Sequence, residues 1–171
     1  MRDAAVPGYR LHKAKPSNKV LISLALVGVL FGLLSAVALT LMKSGVSPTS
    51  VRAYYLGSSD VLEGVDALMS SEPRPTSELA EITHLHLMGG SLLLFLLCHL
   101  LALCEISDRS RTILYVLTFG SFLLTFGSPW VIVFVSPLAA YIYGPSIISL
   151  IGLLVICSGV PLYEMWFRRA N

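Results

Sequence analysis

The sequence predicts an all-α integral membrane protein in which four spans form a helix bundle. Three observations support this fold class. The mean hydropathy of the chain is +0.77, 55% of its 171 residues are apolar, and the charged fraction of 13% is about half of the usual quarter. One membrane domain is the natural organisation at this length. The net charge of +2 is small and gives no indication of nucleic-acid binding.

The first apolar stretch is predicted to be an uncleaved anchor. It runs from Val20 to Met42, which is long enough to cross a bilayer and too long for the apolar region of a signal peptide. The predicted organisation is a basic tail at 1–19 and a single membrane domain at 20–171, with spans at about 20–42, 78–104, 112–135 and 138–167 and a loop at 43–77.

The last two spans come from one almost continuous apolar stretch, Thr112–Phe167. A turn near Ser136-Pro137 is predicted to divide it. Because proline lacks an N–H donor and disturbs the preceding helical turn, Pro129 and Pro145 are expected to kink or break the helices on either side of that turn.

The loop between the first two spans is predicted to be short, acidic and helical. Ser47-Pro48 is typical of an N-cap followed by proline at the first helical position, and Gly57 would end that helix. A second short helix is predicted at about residues 59–69. The next span follows Pro75, with Thr76 or Ser77 as its expected N-cap. From Lys43 to Glu81 there are six acids and three bases, a balance of 3 − 6 = −3.

Basic residues predict the orientation of the spans. The N-terminal tail, the loop with Arg109 and Arg111, and the tail with Arg168 and Arg169 all fall on one side of an alternating four-span chain. The positive-inside rule therefore predicts that both termini are cytoplasmic and that the 43–77 loop is extracytoplasmic.

Two pairs of glycines are candidate packing sites. Gly28 and Gly32 form a GxxxG pattern, which lets a second helix approach closely, although small residues also occur by chance in apolar helices. Gly120 and Gly127 belong to a repeated Leu-Thr-Phe-Gly-Ser motif seven residues apart, which places them on one helix face.

Histidines in the second span are the main candidates for chemistry, because ionisable side chains within spans are rare and often functional. His84 and His99 are 15 residues apart, so they lie about 60° apart around an α-helix and about 22 Å apart along it. Met88 shares their face, whereas His86 points elsewhere. This spacing resembles a helix of two-haem cytochromes b that carries two axial histidines, one per haem. The resemblance implies haem b on His84 and His99.

The haem hypothesis needs a second axial ligand for each iron. No other span contains a histidine, so a symmetric homodimer or another subunit must supply it, or Met88 must serve for one haem. Copper bound by His84, His86 and Met88 is a further hypothesis. With the haem hypothesis, it makes His84, His86 and His99 the candidate metal ligands. A regular helix separates His84 from His86 by about 200°, so that site needs an extended segment. Simple hydrogen bonding within the bundle is the alternative.

Glu164 is the other candidate residue. It lies near the end of the last span, close to Arg168. An interfacial ion pair with Arg168 explains it without function. The alternative is a point of proton uptake or a contact with a quinone headgroup.

The whole chain resembles an uncharacterised family of small four-span bacterial inner-membrane proteins. The matching motifs are Tyr54-Tyr55-Leu56-Gly57, Ile82-Thr83-His84-Leu85-His86-Leu87, Ser128-Pro129-Trp130 and Leu162-Tyr163-Glu164-Met165-Trp166. The resemblance implies a multi-pass protein of the bacterial inner membrane and implies no activity. No motif for a catalytic residue is present. We expect an accessory or structural subunit of a bacterial membrane complex, for example a respiratory one, with a lipid bilayer and a membrane protein or second copy as partners. The alternative is a quinol-linked electron-transfer subunit that holds haem b.

Overall fold

The computed structural model describes residues 10–57 and 73–168, and all regular structure in those two ranges is helical. Four helices are long and apolar enough to cross a membrane, which confirms the predicted all-α four-span fold. A short 3-10 helix, Leu11–Lys13, precedes them. The α-helices are α1 (Pro16–Lys43), α2 (Pro48–Leu56), α3 (Thr76–Ala102), α4 (Asp108–Phe134) and α5 (Ala140–Phe167), and a second 3-10 turn, Pro137–Ala139, leads into α5.

Local signals explain where the helices begin and end. The Ser47 side chain accepts a hydrogen bond from the Ser50 N–H at the start of α2, and Gly57, at φ +78°, ends that helix as predicted. The expected N-cap of the second span is wrong by one residue. Pro75 caps α3 without a side-chain hydrogen bond, and Thr76 is the first helical residue. The second short helix predicted at 59–69 lies outside the described residues.

Prolines do not interrupt the spans. Pro129 lies inside α4, and Pro145 and Pro161 lie inside α5. Of the kink or break predicted at Pro129 and Pro145, the break is wrong, and the kink stays a prediction. Neighbouring helices and small hydroxyl side chains support the backbone around such prolines in membrane helices.

The bundle is centred on α5, and α1 lies at its edge. In the most apolar 18-residue stretch of the last span, 44% is buried inside the protein. In the corresponding stretch of α1, only 6% is buried. Hydroxyl side chains join α4 to α5, with Ser121 bonded to Ser149 at 3.0 Å and Thr125 donating to Ser146 at 3.3 Å. Interhelical hydrogen bonds of this kind stabilise membrane bundles modestly.

The glycines that pack closely are not those singled out in the sequence. A Cβ added at Gly28, Gly32, Gly120 or Gly127 would meet no atom within 4 Å, so none of them brings together two of the helices that the structure describes. At Gly144, in contrast, a Cβ would lie 2.4 Å from the Val46 carbonyl oxygen. Gly144 therefore allows α5 to touch the segment between α1 and α2.

Candidate functional site

The two histidines predicted to share a face both point away from the bundle. His84 and His99 are exposed on α3, as is Met88, whose exposed fraction is 68%. The His99 ring stacks on Phe95 of the same helix, with 6.2 Å between ring centroids. We define the α3 outer face as His84, Met88, Phe95 and His99. In this chain alone, the face is directed toward the membrane rather than toward another helix.

His86 occupies a different environment on α3. Its Nδ1 atom lies 2.8 Å from the Ile82 carbonyl oxygen, and its ring stacks on Phe126 of α4 at 4.6 Å. The helix is continuous from Thr76 to Ala102, so the extended segment required for His84 and His86 to share a copper ion is not formed. Over residues 10–57 and 73–168, no three His, Cys, Asp or Glu side chains lie close enough together to hold a metal ion.

Under the haem hypothesis, His84 and His99 would each hold one haem, and the residues that the structure describes bring no second ligand opposite either imidazole. His86 lies about 200° around α3 from His84 and about 140° from His99, so it cannot face either of them. His12 lies against Glu164. Met88 is one helical turn beyond His84 and leaves the helix on the same side, so it does not face His84. Of the sources predicted for a second ligand, another chain therefore fits the described residues better than Met88.

A second polar site lies where the bundle meets its N-terminal segment. We call His12, Glu105, Glu164 and Arg168 the Glu164 cluster. The Glu164 side chain is only 4% exposed. Its Oε2 atom accepts a hydrogen bond from the Glu105 N–H at 2.8 Å and pairs with Arg168 Nη1 at 3.5 Å. The ion pair predicted between Glu164 and Arg168 is thus present, and Arg168 also binds Glu105 Oε2 at 2.6 Å.

His12 completes the cluster from the tail. Its Nδ1 atom lies 3.8 Å from Glu164 Oε1 and 4.0 Å from Glu105 Oε1, and its side chain is 6% exposed. Neither His12 Nδ1 nor Glu164 Oε1 has a hydrogen-bond partner among the described residues. Sequence reasoning missed His12 and Glu105, because a single histidine in a basic tail and a single acid in a loop form no periodic pattern.

Cys104 adjoins the Glu164 cluster, just beyond the end of α3, and its thiol is expected to be unreactive. Burial, together with the nearby Glu164 carboxylate, raises its pKa to about 12, and the guanidinium groups of Arg111 and Arg168 only partly oppose this shift. The side chain is 0% exposed, and Sγ donates to the Leu100 carbonyl at 3.4 Å. Thiolate is the reactive form, so almost none is available at about pH 8.5.

Maleimide labelling checks this expectation in a variant that keeps only Cys104. The reference carries its only cysteine at an exposed position of the same helix end, introduced as Ala102→Cys. We expect folded protein to label at least about tenfold more slowly at Cys104 than at the reference, and both to label equally in SDS. Equal rates in the folded state would show that the thiol is not buried.

The four spans and the absence of strands from the described residues define a multi-pass membrane protein. Residues 45–171 match a family described as a transmembrane helical domain, and the match covers most of the chain. The protein therefore belongs to this family of transmembrane helical domains. No curated protein and no solved structure matches the chain.

Proposed function

We propose that the protein is an accessory or structural subunit of a bacterial membrane complex, and that it binds its neighbour through the α3 outer face. The observation that carries this proposal is the outward direction of both His84 and His99. Lipid offers these imidazoles no hydrogen-bond partner. Ionisable residues within spans almost always face protein or a water-filled cavity, because exposure to hydrocarbon is costly.

The length of the α3 outer face indicates the kind of neighbour. His84 and His99 are about 22 Å apart along α3, which is most of the hydrocarbon thickness of a bilayer. A partner that satisfies both imidazoles must therefore be a membrane-spanning helix running beside α3. Met88 and Phe95, between the histidines, provide exposed apolar surface for such a helix to cover.

The proposed orientation of the protein rests on the distribution of basic residues, and the proposed membrane rests on the family resemblance. The basic residues at the ends of the spans favour a cytoplasmic location for both termini under the positive-inside rule. The motifs around Tyr54, Thr83 and Trp130 favour a bacterial inner membrane. In this orientation α2 lies on the extracytoplasmic side and the Glu164 cluster on the cytoplasmic side.

The second candidate function is a quinol-linked electron-transfer subunit, favoured by the exposure of both imidazoles to a neighbouring chain. A second copy of the chain, related by a two-fold axis, could place its own histidines opposite His84 and His99. Haem b, when bound, would supply one-electron transfer. The chain's part would be to donate one imidazole per haem and to hold the two sites on one rigid helix.

The proposal is tested by the mass of the detergent-extracted protein, which reports whether it is assembled with its partner. The mass is compared before and after the double substitution His84→Leu and His99→Leu. We expect assembly about 30-fold weaker, because two interhelical hydrogen bonds of roughly 1 kcal/mol each are lost. The control is Ile113→Leu with Val116→Leu, which alters exposed positions of α4 and should leave the mass unchanged.

Two outcomes separate the candidates. A reduced-minus-oxidised absorption spectrum with a b-type haem band, lost in His99→Ala, supports the electron-transfer subunit. A colourless protein whose assembly still depends on His84 and His99 supports the structural subunit. A parent protein that is monomeric when extracted from its native membrane contradicts both.

A further inference from the structure

The structure contains an open crevice between α1 and the rest of the bundle. It encloses about 540 Å³, within the range of about 300–1,000 Å³ that is usual for ligand sites. The crevice forms because α1 packs loosely at the edge of the bundle and Gly32 leaves its wall without a side chain. A helix at the edge of the bundle borders the lipid, so the crevice is accessible to molecules dissolved in the membrane.

The lining of the crevice changes from polar to apolar along its length. Lys43, Ser44 and Tyr54 lie at the end where α1 meets α2, which is the membrane surface. Leu33 and Leu154, among other aliphatic side chains, line the opposite end. Beyond the surface end, this lining offers apolar surface to a long hydrocarbon chain.

His86 is the one imidazole in the lining, and its hydrogen bond to the backbone determines which ring nitrogen can accept a hydrogen bond from a ligand. The Ile82 carbonyl can only accept, so Nδ1 carries the proton in the neutral ring. Nε2 is then a hydrogen-bond acceptor. The ring is held in place by stacking on Phe126. His86 is therefore suited to receive a hydroxyl group.

The depth of His86 distinguishes between classes of lipid. His86 lies about 15 Å along α3 from its first residue, Thr76, well inside the span. A charged phosphate remains at the membrane surface, because burying an ion in hydrocarbon is too costly. A neutral aromatic alcohol can reach this depth, and the Phe126 ring provides apolar surface beside the acceptor.

We propose that the crevice between α1 and α3–α5 binds a long-chain quinol, with a ring hydroxyl donating to His86 Nε2 and the isoprenoid tail lying along Gly32 and Leu33. The proposal concerns binding alone and includes no electron transfer. It is independent of the proposed partner, since none of the four residues of the α3 outer face lines the crevice.

Trp130 provides a reporter for the test. Its Nε1–H donates to Thr83 Oγ1 at 2.9 Å, and Thr83 lines the crevice. The chain has two tryptophans, so Trp166→Phe leaves Trp130 as the only indole. A decyl-substituted benzoquinone, which has the ring and the tail but no hydroxyl to donate to Nε2, is titrated to quench the Trp130 fluorescence. The corresponding quinol is then added, and it should displace the quinone at a lower concentration because it makes the additional hydrogen bond to His86. We expect saturable quenching and full displacement.

Two glycines of α1 provide a matched pair of variants. A Cβ at Gly28 or at Gly32 would meet no atom within 4 Å, so leucine is accommodated at both, but only Gly32 lines the crevice. Gly32→Leu should abolish saturable quenching, whereas Gly28→Leu should retain it. Equal quenching in the two variants would show that the quinone only partitions into the detergent, and it would overturn the proposal.

His86 variants test the hydrogen bond. His86→Leu should weaken quinol binding about tenfold, and His86→Gln, which retains an acceptor, should recover part of the affinity. Displacement by oleyl alcohol or by phosphatidylglycerol as effective as that by quinol would overturn the assignment, because the crevice would then recognise any lipid chain.

Discussion

Replacing Glu164 with alanine is expected to destabilise the folded protein by about 2–3 kcal/mol. The carboxylate is buried and accepts the Glu105 N–H and the Arg168 guanidinium. Its removal leaves that N–H without its acceptor and takes away the ion-pair partner beside His12. Arg168 is 41% exposed, so water can partly replace its lost contact. Titration with SDS in mixed micelles gives the free energy of unfolding.

Asp108→Ala is the control for Glu164→Ala. Asp108 also pairs with an arginine, Arg111, but its side chain is 90% exposed, so we expect a change below about 1 kcal/mol. Glu164→Gln keeps an oxygen acceptor for the Glu105 N–H and should lie between the two. If Glu164→Ala and Asp108→Ala cost the same, the Glu164 cluster does not stabilise the fold.

Replacing Gly144 with alanine is expected to destabilise the protein by about 2 kcal/mol, as overpacking of a well-packed contact does. The added Cβ would lie 2.4 Å from the Val46 carbonyl oxygen. That oxygen belongs to the backbone, so relief requires a shift of α5 or of the segment before α2. The same SDS titration measures the effect.

Gly152→Ala serves as the comparison on the same helix. A Cβ at Gly152 meets nothing within 4 Å, so alanine there should be neutral or slightly stabilising through its higher helix propensity. The two variants should therefore differ in the sign or size of their effect. Equal stability of Gly144→Ala and Gly152→Ala would contradict the close contact between α5 and Val46.

Hydropathy was sufficient to predict the architecture of the protein. The four spans follow from apolar runs long enough to cross a bilayer, and α2 follows from the local signals at Ser47-Pro48 and Gly57. These features depend on neighbouring residues in the sequence. Helix geometry likewise predicted that His84 and His99 share a face, and the structure adds that the face is exposed.

The features that sequence reasoning missed depend on which helices meet. The GxxxG pattern at Gly28 and Gly32 predicted a close contact, but α1 packs loosely, and its glycines meet no neighbour in this chain. Every long helix here is apolar on most of its circumference, so periodicity could not identify the faces that pack. The contact of His12 with Glu164 joins residues that are far apart in the sequence, and no local pattern marks it.

The position of Leu11 has a consequence for the synthesis of the protein. Leu11 is 0% exposed, its N–H donates to the Leu103 carbonyl at 3.4 Å, and Lys19 donates to the Met165 carbonyl at 2.8 Å. The ribosome makes this segment early and the end of α5 late. Leu11 belongs to the same buried cluster as Met165. The segment preceding α1 therefore cannot complete its packing until translation has passed Met165, and a chain that stops earlier leaves the apolar Leu11 side chain partly uncovered.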